Sequence, residues 1–452
     1  MRDFTTGSET QHILRFAIPM LIGDIFQQLY NVVDSIIVGR FIGDKALAAV
    51  GASFPVIFVI IALVLGIGIG STVVISQYFG ARNFDMVKRA ANTIYIFLLI
   101  SGVVVTAIGL MASGAIFRML HLPEELMKPA RTYLNIFMLG MVVMFAFNAI
   151  ASILRGIGDS KTPLYFLLIS TLTNVGLVLL FVVKFRWGIA GAAWATVISQ
   201  VVAFIIALIY LNHSQHMLSI NLRTMKFDRQ IFRQIVKIGL PTGIQQTMVA
   251  LGSMAMMGIV NSFGTTVIAA FTVASRLDAL IATPIMDFAA ALSGFVGQNI
   301  GANKIDRVKR GLRSTLKISI RFCVVNIAII LIFGHSLMGI FTKSSDVIAI
   351  GYQYLLVVSL FYIIFAVMFS INGLLRGVGA AVVPMYITLL SLWIFRIPLA
   401  YLLSKTFGMG ALGIWWSIPI GWTMGAIAAV AYYRHGSWKN KSLVKVRQQA
   451  AD

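Results

Sequence analysis

Apolar residues in this chain neither alternate nor fall into narrow stripes. They run on in long stretches separated by short polar segments. Such stretches cover 13–39, 54–78, 91–113, 132–154, 163–183 and 189–211, and a polar, basic segment follows at 212–233. Six more cover 234–261, 277–300, 314–334, 350–374, 384–404 and 409–433, before a basic tail at 434–452. A helix needs about 20 mostly apolar residues to cross a bilayer. The pattern therefore predicts an all-α membrane protein with twelve transmembrane helices. Membrane barrel strands would alternate instead.

Composition supports this reading. The 452 residues are 59% hydrophobic and 11% charged, with a mean hydropathy of +0.91. Soluble chains carry roughly 45–50% apolar and about 25% charged residues. A cytosolic enzyme, a secreted scaffold and a disordered regulator are excluded. No cleavable leader is expected, because Asp3 and Glu9 precede a first stretch of full span length. Cys323 is the only cysteine, so neither an intramolecular disulfide nor a cysteine metal site is expected.

The net charge of +21 changes the picture further. In a soluble protein it would suggest nucleic acid. In a membrane protein it reports topology, because cytoplasmic loops collect Lys and Arg. With twelve helices both termini share a side, and the segments on that side hold 24 of the 36 basic residues. The opposite loops hold ten, while Arg321 and Arg396 fall within stretches. Both termini are therefore expected in the cytoplasm of a prokaryotic cell, in the plasma (inner) membrane. No nucleic-acid partner is needed. The basic linker and tail are expected to meet anionic lipid.

The chain also repeats itself. Gln77-Tyr-Phe-Gly80-Ala through Lys88-Arg89 aligns with Gln298-Asn-Ile-Gly301-Ala through Lys309-Arg310, 221 residues later. Leu154-Arg-Gly-Ile-Gly158, Pro163 and Tyr165 match Leu375-Arg-Gly-Val-Gly379, Pro384 and Tyr386. Gly188, Gly191 and Trp194 match Gly410, Gly413 and Trp416 at an offset of 222, and Pro19 matches Pro241. Six helices per copy give both copies the same orientation, as in transporters built from parallel repeats. The expected organisation is a lobe at 1–211, a cytoplasmic linker at 212–233, a lobe at 234–433 and a cytoplasmic tail at 434–452. No extramembrane stretch is long enough for a nucleotide-binding module. Gly156-Ile-Gly158-Asp-Ser-Lys161-Thr lacks the glycine before lysine that a phosphate loop needs. Transport would then be driven by an ion gradient, without a cofactor.

Ionisable residues inside spans are costly and are functional candidates by default. The acidic candidates are Asp24, Asp34 and Asp287, with Asp278 at a helix start beside Arg276. Asp24, Gln27 or Gln28, Asn31 and Asp34 recur three and four apart, forming one polar face of the first helix. The alternative is a polar seam that only joins helices. Desolvation disfavours a bare carboxylate, so Asp34 among Val32, Val33, Ile36 and Ile37 could hold a proton or exchange it for a cation. In the second lobe Asp287 and Arg396 could neutralise each other. Gln245 and Gln246 are expected to line the substrate cavity with Asp24, Gln27, Asn31, Asp287 and Arg396. The abundant Met residues suit varied apolar ligands, although core packing explains them equally well.

These features resemble the multidrug and toxic compound extrusion (MATE) family over the whole chain. The similarity lies in Val33-Asp34-Ser35-Ile-Ile-Val-Gly39-Arg40, the two Gln-x-x-Gly-Ala copies and the two Leu-Arg-Gly-Ile/Val-Gly copies. The resemblance implies a V-shaped, two-lobed antiporter, expected as a monomer. It would export cationic or amphipathic small molecules in exchange for protons or, less favoured, sodium. In the DinF-like branch the coupling site is an Asp in the first helix, an Asn and an Asp in the fifth and a Thr in the sixth. Asp34, Asn174 and Thr196 match, and Val178 stands at the second Asp, leaving a single carboxylate. Sodium at Asp34 would be the one metal-ion possibility. In the NorM-like branch a second-lobe site uses a Glu and an Asp, where this chain has Val249 and Phe365. The DinF-like branch is thus the nearer one. A lipid-linked precursor flippase of the same superfamily, a channel and an intramembrane enzyme are the alternatives. For an enzyme, the six histidines (His12, His121, His213, His216, His335 and His435) are poorly placed, at ends or in loops.

Overall fold

A computed structural model of the chain describes residues 2–119, 122–214, 218 and 225–444. His121, His216, residues 215–217 and 219–224 of the expected linker, and the tail from 445 lie outside the described residues. Among the described residues there are helices and turns and no strand. The first half holds α1 (Glu9–Phe41), α2 (Asp44–Gly80), α3 (Phe84–Met119), α4 (Glu124–Gly156), α5 (Lys161–Val178) and α6 (Gly188–Ser214). The second holds α7 (Arg229–Asn261), α8 (Thr265–Gly301), α9 (Ile305–Gly339), α10 (Ser345–Ser359), α11 (Tyr362–Gly377), α12 (Val382–Leu389), α13 (Ile397–Tyr401) and α14 (Ala411–His435). π-helical turns extend α5 over Leu179–Lys184 and join α12 to α13 over Leu390–Arg396. A further π turn, Leu402–Thr406, follows α13.

Ten of these rods are long and apolar enough to cross a membrane, or eleven if α10 and α11 form one span. The chain is a multi-pass membrane protein. α1 is not among the ten although it has 33 residues. Asp24, Gln27, Gln28, Asn31 and Asp34 dilute its hydropathy. The stretch expected as one helix at 350–374 is broken by a bend of 52° between α10 and α11. Neither proline nor glycine marks this break in the sequence.

Two compact units form, and each half opens in the other's unit. One unit comprises Met1–Asp3 with Ile18–Gly239, and the other Phe4–Ala17 with Leu240–Asp452. The borders expected at 211 and 234 do not coincide with this division. The reason lies in the repeated Gln-x-x-Gly-Ala elbows, each of which seats the opening of a first helix. In the second unit the Phe4 amide donates to Gln298 Oε1 (2.9 Å) and Asn299 Nδ2 donates to the Phe4 carbonyl (3.2 Å). Arg307 donates to the carbonyls of Phe4 and Gly7, both at 3.0 Å. Phe4 is buried and stacks on Phe295. In the first unit Tyr78 donates to Gln234 Oε1 (3.0 Å) and the Asp228 amide donates to Thr93 Oγ1 (3.1 Å).

The duplication is written in the backbone as well. Left-handed φ angles at Gly43, Arg82 and Gly158 recur at Gly264, Asn303 and Gly379, each 221 residues later. Those at Arg186 and Gly188 recur at Gly408 and Gly410, an offset of 222. The π-type bonds Phe185 N–H to Leu180 and Trp187 N–H to Phe181 recur as Phe407 to Leu402 and Met409 to Leu403. The extra residue that changes the offset falls where the second half has a π turn and the first has none, Leu390–Arg396. A π turn takes one residue more than an α turn and absorbs such an insertion.

Glycines set the approach of helices. A Cβ on Gly377 of α11 would meet the Ser293 carbonyl and Val296 of α8. Glycine also lets the backbones of α2 and α7 approach at Gly70 and Gly239, within the first unit. Close packing of small residues is the main attraction available to helices in lipid.

Glu9 anchors the opening segment through Arg310 (2.8 Å) and Arg307 (3.2 Å). Burial pushes its carboxyl up, but the Arg310 hydrogen bond and the two guanidinium charges outweigh this and hold it below the usual range. A depressed folded-state value contributes stability above the ordinary glutamate range, and the contribution is lost as pH falls through the folded value. Glu9→Gln should therefore lower the melting temperature of detergent-solubilised protein at pH 7. The gap from the native protein should close as pH falls below about 4. A gap independent of pH would show that Glu9 acts by packing.

Candidate functional site

In the first unit α1 brings Asp34 against α5 and α6. Ile37 and Val38 of α1 share an apolar cluster with Val178 and Phe181 beyond Asn174 and with Ala192 and Ala195 before Thr196. This packing fixes the register of the three segments, so the polar residues one turn away converge. Asn174 is 2% exposed and its Nδ2 donates to Thr196 Oγ1 (3.3 Å). Thr196 donates its own hydrogen to the Ala192 carbonyl (3.2 Å). The Tyr30 hydroxyl lies 3.2 Å from Thr196 Oγ1, within hydrogen-bond distance. Asp34 is half-buried, and its Oδ1 has no hydrogen-bond partner among the described residues. Tyr30 and Tyr133 lie within electrostatic range of its carboxylate. Val178, the position of the missing second carboxylate, is 1% exposed in the apolar cluster.

Gln200, one turn beyond Thr196, also has a buried oxygen without a partner among the described residues.

The second unit holds a different cluster. Tyr362 donates to Asp278 Oδ1 (2.7 Å) and Tyr354 to Oδ2 (3.3 Å). In a straight helix residues eight apart are separated by about 12 Å along the axis. The bend between α10 and α11 lets both phenols reach one carboxylate. Arg396 lies in electrostatic range of Asp278 and Tyr354. Asp287, the other acidic residue of α8 and a possible partner of Arg396 from sequence, is buried in α8. Asp278 is also not at a helix start, because α8 begins at Thr265.

The other expected cavity residues divide. Asp24 and Asn31 are exposed on α1 and Gln27 is half-buried, while the α1 side chain that reaches the Asn174–Thr196 pair is Tyr30. Gln245 is buried and donates to Thr388 Oγ1 (2.6 Å) and the Pro384 carbonyl (3.4 Å), tying α7 to α12. Gln246 is half-buried. Phe365 packs between Phe369 and Trp422, ring centroids 4.3 and 4.7 Å away, so aromatic packing fills that position. The tyrosines were overlooked in the sequence, yet Tyr133 and Tyr354 stand 221 apart and so mark the same point in both repeats.

Ten or eleven helices able to cross a membrane among the described residues, with one polar cluster in each unit, describe a multi-pass membrane protein. The family described as MatE matches the chain twice, over residues 19–180 and 241–402. The chain belongs to the multidrug and toxic compound extrusion (MATE) family, a family of multidrug transporters. It is 34% identical to the probable multidrug resistance protein YpnP of Bacillus subtilis over 442 residues, covering 98% of both chains. It is 30% identical to the probable multidrug resistance protein YoeA of the same organism, covering 96% of this chain and 95% of the relative. A solved outward-facing multidrug resistance MATE transporter superposes with a TM-score of 0.89 at 27% identity, covering 96% of each chain. A MATE structure in a bent conformation gives 0.90 at 26% identity, covering 98% of each.

The Asp278 cluster can be tested directly. A hydrogen bond to a charged group contributes about 1.5–3 kcal/mol. Tyr362→Phe should lower the melting temperature of purified protein, and Tyr354→Phe, with the longer bond, should lower it less. Equal effects would contradict the asymmetry.

Proposed function

We propose that this chain is a secondary antiporter that exports cationic or amphipathic small molecules in exchange for protons, by alternating access. Asp34 is the coupling residue, and Asn174 and Thr196 shape its surroundings. The observation carrying this reading is the half-buried Asp34 carboxylate, whose Oδ1 has no hydrogen-bond partner among the described residues, beside Tyr30 and close to the Asn174–Thr196 pair. Such a group is most comfortable when protonated, and it must lose the proton to complete a cycle. Protonation from outside changes α1 and its neighbours and loosens the hold on substrate, which leaves outward. The lobes then reclose toward the cytoplasm. The site matches the DinF-like pattern at Asp34, Asn174 and Thr196 and departs from it at Val178, and the transporter is a monomer in the plasma membrane with both termini cytoplasmic. The curated relatives carry multidrug resistance names, which supports drug-like substrates.

Cells loaded with a fluorescent lipophilic cation provide the test. Native protein should expel the dye, and a proton ionophore should abolish expulsion whether or not sodium is present. Asp34→Asn should reduce coupled efflux at least tenfold while leaving the amount of membrane-inserted protein unchanged. Sodium-dependent, ionophore-resistant efflux would move the coupling ion to sodium, and full efflux by Asp34→Asn would remove Asp34 from the mechanism.

A further inference from the structure

Of the ten span-length helices, α9 buries the smallest share of its apolar stretch within the protein. Its outward face changes character along its length. Arg310, Arg313, Lys317 and Arg321 recur three and four apart and so stand in one row. All four are exposed. Val324, Leu331 and Ile332 continue the same face and are 51%, 48% and 70% exposed. About three turns of cation are thus followed by roughly two of hydrocarbon.

The protein answers only the first charge of the row. Glu9 accepts from Arg310 (2.8 Å). Asp306, one turn before Arg310, pairs with Lys309 (3.2 Å). Arg313, Lys317 and Arg321 form no ion pair among the described residues. They stand four apart, a spacing at which like charges destabilise a helix.

The repeat shows what this face is without the cations. α3 and α9 begin 221 residues apart, at Phe84 and Ile305. At that offset Arg313, Lys317 and Arg321 correspond to Asn92, Ile96 and Ile100, and Ile100 is 57% exposed. Two turns that are apolar in α3 therefore carry cations in α9. A charge within a span is costly. The cost falls when a long side chain lays its stem along apolar surface and carries its head to the polar edge of the bilayer. An anion at that edge turns the cost into attraction. A free anion would meet the cations and leave the hydrocarbon beyond them bare, whereas a phospholipid matches both parts of the face.

We infer that the outward face of α9 is a binding site for an anionic phospholipid. Its headgroup lies against Arg313, Lys317 and Arg321, and an acyl chain follows Val324, Leu331 and Ile332. A zwitterionic phospholipid fits the apolar part but brings its own cation to the row, so net negative charge sets the preference. Native mass spectrometry of delipidated, full-length protein tests this by counting bound phosphatidylglycerol or phosphatidylcholine with the same acyl chains. The native protein should bind its first phosphatidylglycerol about tenfold more tightly than phosphatidylcholine. Lys317→Ile with Arg321→Ile gives α9 the residue type that α3 carries, an exchange the repeat already accommodates. It should weaken phosphatidylglycerol binding about fivefold for each cation removed and leave phosphatidylcholine binding unchanged. If that pair does not fold, Arg321→Gln alone decides, with a loss of about fivefold. Arg434→Gln with Lys439→Gln removes the same charge from the end of α14 and should leave the preference intact. Equal native binding of the two lipids would overturn the assignment, as would a preference that survives the α9 substitutions or an equal loss in the α14 variant. Glycerol phosphate, which has the headgroup chemistry without acyl chains, should not displace the lipid. Full displacement would make the row a site for a free anion and would also overturn the assignment.

Discussion

A carboxylate inside a hydrocarbon layer has to be met by polar groups from the helices around it, because lipid offers none. Both units are organised by that demand, and they answer it differently. In the first, Asp34 lies within electrostatic range of Tyr30 and Tyr133, and its Oδ1 has no hydrogen-bond partner among the described residues. In the second, both oxygens of Asp278 accept phenol protons, from Tyr362 and Tyr354, and Arg396 lies within electrostatic range.

The same repeat therefore yields two chemistries, and small backbone changes separate them. A single inserted residue makes the π turn before Arg396, and the break between α10 and α11 brings Tyr354 and Tyr362 to one carboxylate. Around these differences the repeated backbone is closely kept, down to left-handed positions such as Gly188 and Gly410. The elbows at Gln77 and Gln298 add a second common device. Each receives the opening of a first helix, so α1 and α7 each contribute residues to both units.

Much of this was legible in the sequence. Continuous apolar stretches reported the spans, and the 221-residue offset reported the duplication. Asp34 stood out because a carboxylate among Val32, Val33, Ile36 and Ile37 has no apolar role. Asn174 and Thr196 were reachable only through resemblance, since each is an ordinary polar residue on an apolar helix. Less was legible in the second unit. Asp278 was set at a helix end because Arg276 interrupts the apolar stretch, although α8 continues for three turns before it. Sequence shows the polarity of Gln245 but not its surroundings: its amide nitrogen donates to the Thr388 hydroxyl, and its buried Oε1 has no partner among the described residues. The bend at residues 360–361 carries no proline or glycine, and the tertiary contacts of Tyr354 and Tyr362 with Asp278 are invisible to local pattern.

The central claim is that substrate and proton compete through Asp34. It is tested most directly by the affinity of purified protein for a permanent lipophilic cation, measured across pH in sodium-free buffer. For the native protein affinity should fall as pH decreases through the titration of Asp34, and Asp34→Asn should show a flat profile across the same range. An unchanged pH dependence in a folded Asp34→Asn protein would contradict the account.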